Sequence, residues 1–178
     1  TPFYWMSQAV LGWFDERFVY LLLFALTLAL SQALARTRLE KLLAVMLVGL
    51  NPILASDVIF GQNDSFILFW VVLGLWLLRW GEEAERRELG HRLGSLAYGL
   101  ACASKSTAWF LAPFWFLFLL RREWGHRFIP PLSRWQFLIK RLWQQAWPLV
   151  VAVIVVVGPW VLWSPQAMFD DVWRWSAG

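Results

Sequence analysis

Two short polar strings interrupt an otherwise apolar chain, and their side chains are of the kind that hold anions and move protons. The first is Gly61-Gln62-Asn63-Asp64, with Asp57 about one helical turn before it; the second is Ser104-Lys105-Ser106-Thr107. Each string precedes an apolar run that reads as a helix. Asn63 or Asp64 can cap a helix over Phe66–Leu78, and Ser104, Ser106 or Thr107 can cap one over Ala108–Leu120. Helix starts present unpaired backbone N–H groups and the positive end of the helix dipole, for which an anion is the natural partner. Lys105 adds a full positive charge. Asp57 lies inside an apolar run, where a carboxylate is costly and by default points to function. Each residue also has a plain structural reading. Asp57 can bond a neighbouring helix, Asp64 can act only as a cap, and Lys105 can extend its stem to reach water.

The elements that carry these strings belong in lipid. Of 178 residues 60% are hydrophobic and only 16% charged, against about 25% charged in soluble domains. Fifteen tryptophans fit a chain that meets the membrane–water interface repeatedly. The single cysteine, Cys102, excludes an internal disulfide and sits in an apolar run as a packing residue. The net charge of +4 does not call for nucleic acid, because membrane proteins gather Lys and Arg on one side. The chain opens on Thr1 and closes on Gly178 without a recognisable leader, and is expected to be a fragment of a longer protein.

Apolar runs occupy Phe18–Ala35, Leu42–Phe60, Phe66–Leu78, Leu93–Ala103, Ala108–Leu120 and Pro148–Trp163. Crossing ~30 Å of hydrocarbon takes about 20 helical residues, so the first two and the last are credible spans. Phe66–Leu78 becomes long enough only if its helix starts within the Gly61–Asp64 string. Asn51-Pro52 is expected to bend the second run, since proline removes a backbone donor. Leu93–Ala103 and Ala108–Leu120 are half-spans, and basic residues decide how they are arranged. If they form a down-and-up pair, 13 of the 16 Lys and Arg residues fall on one side, leaving Arg17, Lys105 and Arg174 on the other. A single helix across both would erase this positive-inside asymmetry. The expected fold is therefore all-α: a polytopic transmembrane bundle with two short broken helices, both polar strings facing outward.

The basic side has structural readings. Glu82–Arg86 and Glu83–Arg87 are expected as i,i+4 pairs on a solvated turn of helix. After Pro130-Pro131, Ser133 can cap a helix in which Trp135, Leu138, Ile139, Leu142, Trp143 and Ala146 form one stripe, the pattern of an amphipathic helix lying in the interface. His91 and His126 have no second ligand at metal spacing, so no metal site is assigned. The small residues Gly94, Ala97, Gly99, Ala101 and Ala103 permit close helix contact.

The strings Leu50-Asn51-Pro52, Asp57 and Gly61-Gln62-Asn63-Asp64 resemble a stretch of the polytopic GT-C superfamily of glycosyltransferases. The resemblance continues in Gly94, Gly99, Ala103-Ser104-Lys105-Ser106 and Ala112-Pro113-Phe114, then in Gly158-Pro159-Trp160, Trp163-Ser164-Pro165 and Phe169-Asp170-Asp171. Thr1-Pro2-Phe3-Tyr4 is similar to the family's Tyr-Pro-Pro segment, one proline short. The resemblance implies a multi-pass enzyme of the cytoplasmic membrane. Such an enzyme moves a sugar, often mannose, from a polyprenyl-phosphate carrier to a glycan, lipid or protein acceptor outside. It also implies that residues 1–178 are part of one transmembrane domain lacking its N-terminal helix, first outer loop and C-terminal helices. The acidic general base usual in that loop would then precede Thr1. On this reading Gln62, Asn63, Ser104, Lys105 and Ser106 bind substrate. Asp64, or less readily Asp57, contacts sugar hydroxyls, replaces the base or holds a divalent cation. Lys105 is expected within about 10 Å of Asp64, where screening leaves the two charges coupled. A secondary transporter with discontinuous helices and a non-enzymatic membrane protein are the alternatives.

Overall fold

The computed structural model describes residues 8–9, 12, 15–60, 64–124 and 135–170, and these contain helices and turns but no strand. The chain divides into two compact units, Thr1–Trp76 and Leu77–Gly178.

In the first unit, α1 (Glu16–Leu34) starts at Asp15, whose side chain accepts from the Arg17 backbone N–H at 2.9 Å. The next helix, α2 (Arg38–Gly49), opens with a capping box: Thr37 accepts from the Glu40 N–H, and the Glu40 carboxylate accepts from the Thr37 N–H. Two orphan donors are thereby satisfied reciprocally. One further backbone N–H, that of Arg36, also donates to the Glu40 carboxylate, at 2.7 Å. The expected bend occurs at Asn51-Pro52: α2 and α3 (Pro52–Phe60) meet at 47°, and together qualify as one broken span. Asn51 Oδ1 accepts from the Ile53 N–H at 3.0 Å, replacing helix bonding that proline has ended. Helix α1 packs against α2 and α3.

The fourth helix, α4 (Asp64–Glu83), has 20 residues because it starts at the end of the polar string, which makes it long enough to cross a membrane. Helix α1 from Arg17, and α7 (Trp135–Trp163) from Gln136, meet the same criterion. Large apolar side chains stand outward in both units; Leu47 and Leu162 are 75% and 85% exposed. Such surfaces are stable in lipid and aggregation-prone in water.

The second unit is built on α5 (Arg87–Ser104) packed against α7. Gly99 makes this possible. A Cβ there would lie 2.7 Å from the Leu149 carbonyl oxygen and 2.9 Å from the Ala152 Cβ, so only hydrogen lets the backbones approach. Gly81 and Gly90 meet in the same way where α4 turns into α5. That turn departs from expectation. Helix α4 ends at Glu83 and Glu85 takes a left-handed φ of 56°, so Glu82–Arg86 and Glu83–Arg87 are no longer one turn apart on a helix. The acids pair elsewhere: Glu83 with Arg79 at 2.6 Å and Glu82 with Arg121 at 2.8 Å.

After α5 come a 3-10 helix (Ser106–Leu111), α6 (Ala112–Trp124) and, following α7, the short α8 (Pro165–Phe169). The broken down-and-up pair is present. Trp115 of α6 stacks on Tyr98 of α5 at 4.5 Å and reaches the Ser95 hydroxyl at 3.5 Å, contacts that require the chain to reverse. A second difference concerns α7. The amphipathic segment and the last apolar run are one continuous 29-residue helix, with Pro148 and Pro159 inside it. The expected stripe also divides, Leu138 and Ala146 being buried while Ile139 and Trp143 are exposed. Packing of Leu149 and Ala152 against α5 holds the helix through Pro148, outweighing one lost backbone bond.

Candidate functional site

The candidate residues fall on two helix breaks, one in each unit. In the first unit, Asp57 lies near the middle of α3 and is 5% exposed, while Asp64 occupies the first turn of α4. An acidic side chain in a first turn complements the helix dipole. Gly61, Gln62 and Asn63 lie outside the described residues.

In the second unit the break centres on Lys105. Helix α5 ends at Ser104 and Lys105 is extended, with φ −158° and ψ 141°, before the 3-10 helix begins at Ser106. The Lys105 N–H bonds back to the Ala101 carbonyl at 3.3 Å, and its own carbonyl accepts from the Ala108 N–H at 3.2 Å. One residue therefore belongs to both helices. Apolar and aromatic contacts fix it from behind. The Tyr98 hydroxyl donates to the Ala108 carbonyl at 2.7 Å, and the Trp109 indole N–H donates to the Cys102 carbonyl at 3.1 Å. Tyr98, Cys102 and Ala108 are all buried.

The capping expected of Ser104, Ser106 or Thr107 does not occur. No side chain caps the 3-10 helix, and the Ser104 hydroxyl donates to the Leu100 carbonyl at 2.7 Å instead. A helical serine has that acceptor one turn back and always in reach, so it competes with the cap. Ser104, Lys105 and Ser106 stay contiguous around the break, with Ser106 exposed and Lys105 half-buried. What the arrangement offers chemically is a cation on a short extended linker with a hydroxyl on each side. Among the described residues, no three His, Cys, Asp or Glu side chains gather as metal ligands would.

Sequence reasoning gave no role to His91, yet the fold buries it to 1% exposure at the start of α5, beside the Gln145 side chain. Burial holds its pKa below the ordinary 6.5; nearby Gln145 favours the charged ring, Arg87 opposes it, Glu82 favours it and Arg121 opposes it. Its only signal in the sequence was its place next to Gly90, at the crossing with Gly81.

No curated protein sequence and no solved structure matches the chain. The pattern of glycosyltransferase family 87 matches residues 1–132, which include both candidate breaks and every helix from α1 to α6. That match favours the enzyme over the transporter and the non-enzymatic membrane protein. Helices that suit a bilayer, polar breaks in two of the apolar segments and a match over most of its length agree: the chain belongs to glycosyltransferase family 87, a membrane glycosyltransferase family of the GT-C type.

Proposed function

We propose that this protein transfers a sugar from a polyprenyl-phosphate carrier to an acceptor hydroxyl at the outer face of the cytoplasmic membrane. The observation that carries the reading is the helix break at Lys105, an extended lysine between two helices inside an apolar hairpin. During transfer the acceptor oxygen attacks the anomeric carbon and the lipid phosphate departs with growing negative charge. A cation held in a poorly hydrated position stabilises that charge at little reorganisation cost. Lys105 takes this role, with Ser104 and Ser106 bonding phosphate or sugar oxygens. Gln62, Asn63 and Asp64 contact the sugar. Asp64 either binds sugar hydroxyls or takes the acceptor proton, and a pH–rate profile of Asp64→Asn separates these. Asp57, deeper in α3, is the weaker candidate for the same work.

Acceptor and donor follow from one assay. Full-length protein is supplied with a panel of polyprenyl-phosphate sugars and with glycan, lipid and peptide acceptors. Transfer from at least one carrier supports the reading; transfer only from nucleotide sugars rejects it. Lys105→Met is expected to lower the transfer rate roughly 10²–10³-fold while folded yield is unchanged. Full activity in that variant would reduce Lys105 to an interfacial residue.

A further inference from the structure

A polar groove of about 180 Å³ lies between the start of α5 and the second and third turns of α7, lined by Glu88, Arg92, Arg141, Gln144 and Gln145. None of these residues belongs to the proposed transfer site. We propose that this groove binds the headgroup of an anionic glycerophospholipid, with the phosphodiester between Arg92 and Arg141.

Two observations carry the assignment. The first is charge. Arg92 and Glu88 are only loosely paired, at 3.9 Å, and Arg141 lies over the Phe137 ring at 5.5 Å. Two guanidinia and one carboxylate leave the groove one positive charge in excess, which a phosphodiester monoanion balances. The second is location. Phe137, Trp143 and Trp147 stand exposed along the same stretch of α7, ahead of its apolar run. Amphipathic aromatic rings mark the headgroup level, and basic pockets between helices at that level hold lipid headgroups.

The test uses full-length protein in phosphatidylcholine nanodiscs with and without phosphatidylglycerol, reading retained lipid by native mass spectrometry and thermal stability in parallel. Phosphatidylglycerol is expected to be retained and to raise the melting temperature. Phosphatidylmethanol, equal in charge, is expected to do the same. Each arginine lost should weaken retention about fivefold, so Arg92→Gln with Arg141→Gln should weaken it about 25-fold. The charge-matched pair Arg36→Gln with Arg38→Gln should leave it unchanged. Equal losses in the two pairs would mean only a diffuse surface field, overturning the site. Displacement of the lipid by inorganic phosphate would make it a free-anion site and reject the lipid. If the groove variants do not fold, wild-type protein still decides: equal retention of phosphatidylcholine and the two anionic lipids overturns the proposal.

Discussion

The Tyr98 hydroxyl donates to the Ala108 carbonyl at 2.7 Å and, with the Trp109 indole bond to the Cys102 carbonyl, ties the body of α5 to the 3-10 helix beyond Lys105. The tyrosine ring meanwhile stacks on Trp115 with an interplanar angle of 19°. Tyr98 therefore acts on both the reversal of the chain and the height at which the lysine sits. Tyr98→Phe keeps the stack and leaves a buried carbonyl unpaired, which costs about 1–3 kcal/mol. The expected melting temperature falls by roughly 2–4 °C per kcal/mol for a chain of this size. Transfer should decline less than in Lys105→Met, because the cation remains. A variant as stable as wild type would show that Ala108 finds another donor.

Close backbone approach at Gly99 gives a sharper contrast. Gly99→Val would drive side-chain atoms into the Leu149 backbone, already 2.8 Å from an added Cβ at its Cα, and is expected to destabilise by about 1–3 kcal/mol or more. Gly158→Ala is the matched control on the same helix pair's longer partner. Its added Cβ meets only Ile154 at 3.8 Å, and a helical Gly→Ala change there should stabilise by up to about 1 kcal/mol. Thermal unfolding in one detergent compares them directly. Equal effects at the two glycines would rule out Gly99 as the contact that sets the α5–α7 distance.

Acid should weaken the second unit through His91. The ring precedes the apolar run that begins at Leu93, and burial holds its folded pKa below the ordinary 6.5. As pH falls below 6.5, the unfolded chain takes up this proton before the folded one does. The contribution is thus complete above that value and is lost on acidification, at up to about 1.4 kcal/mol per pH unit, until the folded pKa is reached. Replacing His91 by Leu keeps the burial and removes the titration, so the variant's stability should be flatter between pH 6.5 and more acidic conditions. Parallel pH curves for the two proteins would assign the acid sensitivity to other groups.

Sidedness is tested by cysteine labelling. In a Cys102→Ala background, single cysteines at positions 64 and 105 should react with an impermeant reagent from outside, and those at 87 and 121 should not. The basic split along the chain sets this expectation. The reverse pattern would invert the topology and with it the proposed outer acceptor.

The features legible in the sequence were those that a solvent mismatch makes expensive. Asn51-Pro52 in an apolar run had to bend it, a helix over Phe66–Leu78 had to begin near Asp64 to be long enough, and Lys105 could not be threaded through a single span. The features that were not legible depend on which surfaces meet. Pro148 looked like a boundary, but packing against α5 outweighs its missing donor. Ser104 looked like a cap, but the Leu100 carbonyl was nearer. Glu82 looked like a partner for Arg86, while its actual partner, Arg121, is far along the chain. Of the candidate site, the sequence identified the break at Lys105 and the helix start at Asp64. Nothing in residue spacing foretold the groove at Gln145, which exists only because α5 and α7 pack at their polar ends.

The continuity of α7 bears on the kind of bilayer the protein suits. Its 29 residues would extend about 43 Å, too long for a helix that lies wholly in hydrocarbon even at a steep tilt. The polar first third must therefore project beyond the acyl chains, leaving Trp147–Trp163 to cross, a stretch of about 25 Å. Helix α1, with 19 residues, reaches only about 28 Å. With the 20 residues of α4, about 30 Å, these lengths sit at or just under the ~30 Å average, so thickening the bilayer with longer acyl chains would stretch the ends of α1 and α7 first, at a cost that grows with each added ångström.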